Sequence, residues 1–189
     1  MRDIYISPIK AVLHCLDDPA LDFILCTSED YLFKPLPSNV LQLDFRDTVD
    51  PNDPAAFSPH LAAEVATFLR RPDARPELFV CCDCGVSRSA ALAAAIQHAG
   101  GGNDLPIWRD QNYMPNPLVY RLTRRVFDAP TTEDALNVRL ALNAAARRKA
   151  FSKNVTQTVA VEAKIPNGCR KISGKPNVTA TLRPPILSI

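Results

Sequence analysis

Cys82 and Arg88 bracket the segment Cys82-Asp83-Cys84-Gly85-Val86-Ser87-Arg88-Ser89. A cysteine followed after five residues by an arginine arises by chance roughly 0.5 times in such a chain. That falls to about 0.001–0.002 once Gly is required three positions after the Cys and Ser or Thr directly after the Arg. Only Cys82 satisfies the full pattern. These residue types point to oxyanion chemistry. A loop of this length between a strand and a helix can turn its backbone N–H groups inward, and the positive end of the following helix adds to their field. Gly85 permits a backbone conformation that a Cβ would obstruct. Arg88 can grip two oxygens of a tetrahedral anion such as phosphate with one planar fork. Cys82 sits at the base of the same positive field, which favours its nucleophilic thiolate form. The hydroxyl of Ser89 or Ser87 can hydrogen-bond that sulfur. The loop residues Asp83, Cys84, Gly85, Val86, Ser87 and Arg88 are therefore the expected anion contacts.

Such a loop needs a strand before it and a helix after it. Apolar runs bounded by turn residues predict strands over 3–9 (ending at Pro8), 23–26, 40–45 and 78–81. Helices are predicted over 11–15, from the Ser58-Pro59 cap through Arg71, over 90–99, near 105–111, and from the Asn116-Pro117 cap to about Asp128. Here Asn116 reads as a plain N-cap, Tyr113 and Tyr120 as packing residues, and Trp108 and the three histidines carry no functional signal. Strands alternating with helices predict an α/β domain with a central, mostly parallel sheet of four or five strands flanked by helices.

The segment 82–89 resembles the signature loop of the cysteine-dependent protein tyrosine phosphatases. It is most similar to the compact dual-specificity-like branch, with its pattern H-C-x-x-G-x-S/T-R-S/T. Cys81 stands where that pattern has histidine. The resemblance covers residues 1–128. It implies a phosphotyrosine-phosphatase-like fold and a metal-independent, cofactor-free hydrolysis of phosphate monoesters through a phosphocysteine at Cys82. It also implies an aspartate, after an upstream strand, that protonates the leaving oxygen. Phe45-Arg46-Asp47 aligns with a Phe-Asp-Asp stretch common in compact members, which picks Asp47. Asp44 lies within the predicted strand and is the weaker choice, while Asp50 and Asp53 follow if the loop is longer. Asp83 would repel substrates with several phosphates. The expected partner is then a phosphorylated protein or small phosphate monoester, with Tyr against Ser/Thr left open. A phospho-binding module without turnover is the alternative. A rhodanese-like sulfurtransferase is disfavoured by Ser89 and Asp47, and the low-molecular-weight branch by the position of the loop after several strands.

Composition sets the frame. The net charge of +2 over 189 residues conceals a split. Residues 1–128 carry 12 Lys+Arg against 17 Asp+Glu, a net of −5, and residues 129–189 carry 10 against 3, a net of +7. This predicts an acidic domain over 1–128 and a basic extension over 129–189. The extension reads as a helix over about 132–150, a short strand over 155–163, and a loosely ordered tail from Lys164. Its Lys and Arg residues are scattered without interleaved aromatics, so nucleic acid is not the expected partner. No run of eighteen apolar residues and no leader pattern is present, so no membrane association is expected. Six cysteines without framework spacing fit a reduced, cytoplasmic protein better than a disulfide scaffold. Cys81, Cys82 and Cys84 lack a spaced partner for a zinc site. Cys84 is instead a candidate reversible disulfide partner for Cys82 under peroxide.

Overall fold

A computed structural model describes residues 2–28 and 35–162, the side chains of 153–162 excepted. Four strands form one sheet: β1 (Asp3–Pro8), β2 (Leu21–Thr27), β3 (Val40–Asp44) and β4 (Glu77–Cys82). All pairings are parallel, in the order β1-β4-β2-β3. The domain is thus α/β, with an all-parallel sheet and no fifth strand among the described residues. Pro8 closes β1 at the sheet edge, where a missing N–H costs no ladder bond.

Period-two alternation sorts the strand residues between two faces. Ile4, Ile24, Cys26, Leu43, Leu78, Val80 and Cys82 belong to the larger core. Phe23, Leu25, Val40 and Cys81 belong to a smaller one, covered by helix α1 (Ile9–Val12) and Leu16. On the larger side lie α2 (Pro59–Arg70), α3 (Arg88–Ala99), α4 (Leu105–Arg109) and α5 (Pro117–Val126). The Ser58-Pro59 start behaves as its residue types require, with Ser58 Oγ accepting from Leu61 N–H at 3.3 Å. Helix α3 is buried almost all round, which suits its run of alanines. Small side chains let it lie close to the sheet on one side and to α5 on the other.

The chain does not leave the packed body at residue 128. Helix α6 runs over Glu133–Glu162. Leu136 is part of the main core, and Arg139 and Asn143 are buried. Asn143 Nδ2 donates to the carbonyls of Trp108 (3.2 Å) and Tyr113 (2.9 Å), which fixes the end of α4. The net charge of the extension therefore misplaces the structural boundary, because its first turns carry core positions. The strand predicted over 155–163 is also corrected, since the backbone is helical through Glu162. β-branched residues cost a helix only tenths of a kcal/mol each, less than about 0.7. An established helix propagates through them, since each added residue gains a hydrogen bond without a new nucleation cost. The tail from Lys164, with Cys169, lies outside the described residues.

Asp104 ties these helices together. It is 1% exposed and accepts from Trp108 Nε1 (3.1 Å, α4), Tyr120 Oη (2.7 Å, α5) and Arg139 Nε and Nη2 (2.7 and 2.9 Å, α6). His98 Nδ1, on α3, lies 3.0 Å from its other oxygen. A second buried carboxylate, Asp22, pairs with Arg2 at 3.0 Å and with Arg71, and accepts from the Arg75 N–H at 2.9 Å. It anchors the start of β2 to the end of α2. Among the described residues, no helix is long and apolar enough to cross a membrane.

Candidate functional site

In a parallel sheet, the loops beyond the carboxyl ends of the strands gather on one edge and form the usual binding crevice. The segment 82–89 lies on that edge between β4 and α3. Cys82 is the last residue of β4 and faces the larger core, 3% exposed. Ser89 Oγ is 3.1 Å from Cys82 Sγ, in a shared hydrogen bond. Of the two serines the sequence offered for this contact, Ser89 makes it and Ser87 turns elsewhere. Cys81, one residue earlier, points to the opposite face of the sheet. Burial there, and next the charge of Cys82, push its thiol up. Cys84 is exposed.

Gly85 has φ +69°. A Cβ built on it would stand 2.7 Å from Pro8 N and 2.8 Å from the Ser7 carbonyl carbon. The obstructing atoms are backbone of β1, so no side-chain rotation relieves the contact. Gly85→Ala is expected to destabilise the protein by about 1–3 kcal/mol through left-handed strain and this clash. Thermal unfolding checks this, and an unchanged Tm would show that the loop yields freely.

Arg88 opens α3 and is 5% exposed. Three contacts hold its guanidinium. Nη1 donates to the Phe45 carbonyl at 3.0 Å, the Phe45 ring lies 5.8 Å away, and Nη2 pairs with the Asp83 carboxylate. Its Nε–H is buried and makes no hydrogen bond among the described residues. A desolvated cationic donor without an acceptor is costly, and it aims favourable potential at an anion. Asp83 also accepts from Ser28 Oγ at 3.3 Å, beyond the end of β2. Its charge is therefore paired with Arg88 and is not a free repulsive group, as the sequence reading had it.

Four aspartates follow β3 or end it, and their surroundings differ. Asp44 is exposed at the strand end. Asp50 Oδ1 accepts from Asn52 N–H at 2.9 Å, and Asp53 accepts from Ala55 N–H at 2.9 Å and pairs with Arg46 at 3.2 Å. Those two serve their own turn. Asp47 alone among the four bonds to the 82–89 loop, through Ser87 Oγ at 3.0 Å. Asn116 Nδ2 donates to the same Asp47 oxygen at 2.8 Å and to the Thr48 carbonyl at 3.0 Å.

The loop thus carries three side-chain pairs, Cys82 with Ser89, Asp83 with Arg88 and Ser87 with Asp47, around the turn at Gly85. The sequence reading missed three contributors: the Phe45 carbonyl, Ser28, and the second role of Asn116. The Asn-Pro pair signals a helix cap, and nothing local to it points toward residue 47. The other neighbour is Cys26, which stands opposite Cys82 in the β2–β4 register. Burial, and then the charge of Cys82, push its thiol well above the ordinary range. Val86 is held from a different direction, its carbonyl accepting from Met114 N–H at 2.9 Å. Among the described residues, no three His, Cys, Asp or Glu side chains converge as a metal site would require. No protein-family model matches this chain, and no curated protein matches it.

Proposed function

We propose that this protein is a cysteine-dependent phosphatase that hydrolyses phosphate monoesters, phosphoproteins foremost, through a phosphocysteine on Cys82. The observation that carries the reading is the hydrogen bond from Ser87 to Asp47, which joins a carboxyl from the β3 side to the Cys82–Arg88 loop. Nucleophile, anion donor and proton donor then share one site although the chain separates them widely.

The proposed reaction has two displacements. Cys82 thiolate attacks phosphorus in line, the ester P–O bond breaks, and the leaving oxygen takes the bond pair and a proton from the Asp47 carboxyl. Water then attacks the phosphocysteine, the P–S bond breaks, the thiolate is restored, and Asp47 carboxylate accepts the water proton. The Arg88 Nε–H and the loop amides stabilise charge on the equatorial oxygens. Ser89 donates to the sulfur when it leaves as thiolate. The Arg88–Asp83 pair leaves the loop with little surplus positive charge, which suits one phosphoryl group better than a polyphosphorylated ligand.

The test is turnover of an aryl phosphate with chelator and reductant present, with acid-quench trapping of phosphate on the protein. Trapped phosphocysteine is the expected result. Asp47→Ala is expected to lower kcat about 10²–10³-fold on esters with poor leaving groups, with substrate binding retained. Absence of turnover by the wild type, combined with tight phosphopeptide binding, would instead assign a binding module.

A further inference from the structure

Asn116 occupies a position where its residue type is only half explained by helix capping. Its Oδ1 accepts from Leu118 N–H at 2.9 Å and Val119 N–H at 3.2 Å, which caps α5. Ser, Thr or Asp would do the same. An amide alone adds a donor on the other branch. That donor reaches Asp47 Oδ1 at 2.8 Å and the Thr48 carbonyl at 3.0 Å. Asn116 is 3% exposed whereas Asp47 is exposed, so a donor fixed in the packed body reaches out to a carboxylate at the solvent boundary and holds it from the buried side.

Ser87 Oγ donates to the same Asp47 oxygen at 3.0 Å. Oδ1 therefore receives two donors, whereas Oδ2 accepts none among the described residues. A carboxyl oxygen that accepts two hydrogen bonds is a poor place for a proton. We propose that Asn116 is a positioning residue that makes Asp47 the proton donor and directs its proton to Oδ2. The inference rests on the phosphatase reading above. The transferred proton leaves Oδ2 while both bonds to Oδ1 persist, so the carboxyl needs no reorientation between the two displacements. By binding the Thr48 carbonyl as well, Asn116 fixes the backbone that carries Asp47. Because Asn116 caps α5, that fixation is transmitted from a helix packed on α3.

Asn116→Asp separates the two roles. It retains a capping oxygen for Leu118 and Val119 but replaces the donor with a second carboxylate facing Asp47. Its Tm is expected to stay within a few degrees of wild type. Its kcat on phenyl phosphate is expected to fall about 10²-fold with KM little changed. On an activated aryl phosphate, whose leaving group needs no proton, the loss should be less than about tenfold. In an Asp47→Asn background the same substitution should add nothing on either substrate, because the group being positioned is already gone. Equal losses on both esters, undiminished kcat on phenyl phosphate, or a full additional loss in the Asp47→Asn background would each overturn the inference. Asn116→Ser supplies the same measurements should the added charge unfold the loop. A wild type that hydrolyses neither ester removes the phosphatase reading itself. A wild type that does, beside an unaffected Asn116→Asp, removes only the role of Asn116.

Discussion

Serine in place of Cys82 is expected to abolish phosphate-ester hydrolysis, by at least about 10⁴-fold in kcat, because an uncharged hydroxyl replaces the thiol at the base of the anion loop. The fold should tolerate the change. Cys82 is a buried strand end whose Sγ lies 3.1 Å from Ser89 Oγ, and a serine can keep that contact. The variant should then still bind an inert oxyanion. Tungstate is expected to raise the Tm of both wild type and Cys82→Ser in a concentration-dependent way, as any ligand selective for the native state does. Arg88→Lys separates binding from attack in the opposite sense. Lysine cannot reproduce the bond to the Phe45 carbonyl, the pair with Asp83 and the Nε–H donor at once. We expect a loss of about 10²–10³-fold in kcat/KM together with loss of the tungstate effect. Full activity in Cys82→Ser would end the proposal. Tungstate stabilisation that survives in Arg88→Lys would place the anion elsewhere.

What the sequence revealed of this molecule was local. Runs such as Phe23–Cys26 announce buried strands because four apolar residues between turn formers have few other uses. Ser58-Pro59 and Asn116-Pro117 mark helix starts because the cap bond and the proline geometry operate within four residues. The Cys82–Ser89 loop is legible for the same reason, since its donors, its glycine and its arginine are contiguous. The choice of Asp47 over Asp44, Asp50 and Asp53 depended on the resemblance, and the structure separates them by partners that no spacing encodes. Asp83 illustrates the limit from the other side. In sequence it is a negative charge beside a nucleophile, and in space it is the partner of Arg88 and Ser28. Trp108, Tyr120 and His98 carried no signal individually. They matter because four helices bring them to one carboxylate, with Arg139 arriving from a segment that net charge alone assigned to a separate extension.

That carboxylate is the site of the largest expected effect on stability. Asp104→Asn is expected to destabilise the protein by about 3–5 kcal/mol, because removing one member of a buried ion pair leaves the other charge uncompensated. For a chain of this size, Tm should fall by roughly 10 °C. An asparagine would also turn its own N–H₂ toward Trp108, Tyr120 or Arg139, all of which are donors. The exposed pair of Arg121 with Glu133, at 2.7 Å, provides the contrast. Solvent screens it, and Arg121→Ala should cost less than about 1 kcal/mol. The same carboxylate makes stability depend on pH. Burial alone would raise its pKa, but the hydrogen bonds from Arg139 and Tyr120, the charge of Arg139 and the contact with His98 together hold it below the ordinary 3.8. A folded-state value below the unfolded one means that the unfolded chain binds the proton first. The stabilisation is therefore complete above the unfolded value and disappears as pH falls through the lower folded one. Acid unfolding of Asp104→Asn should lose that component, so the gap in stability between wild type and variant should narrow below about pH 4. A constant gap down to the acid transition of the wild type would show that the hub acts through packing and not through charge.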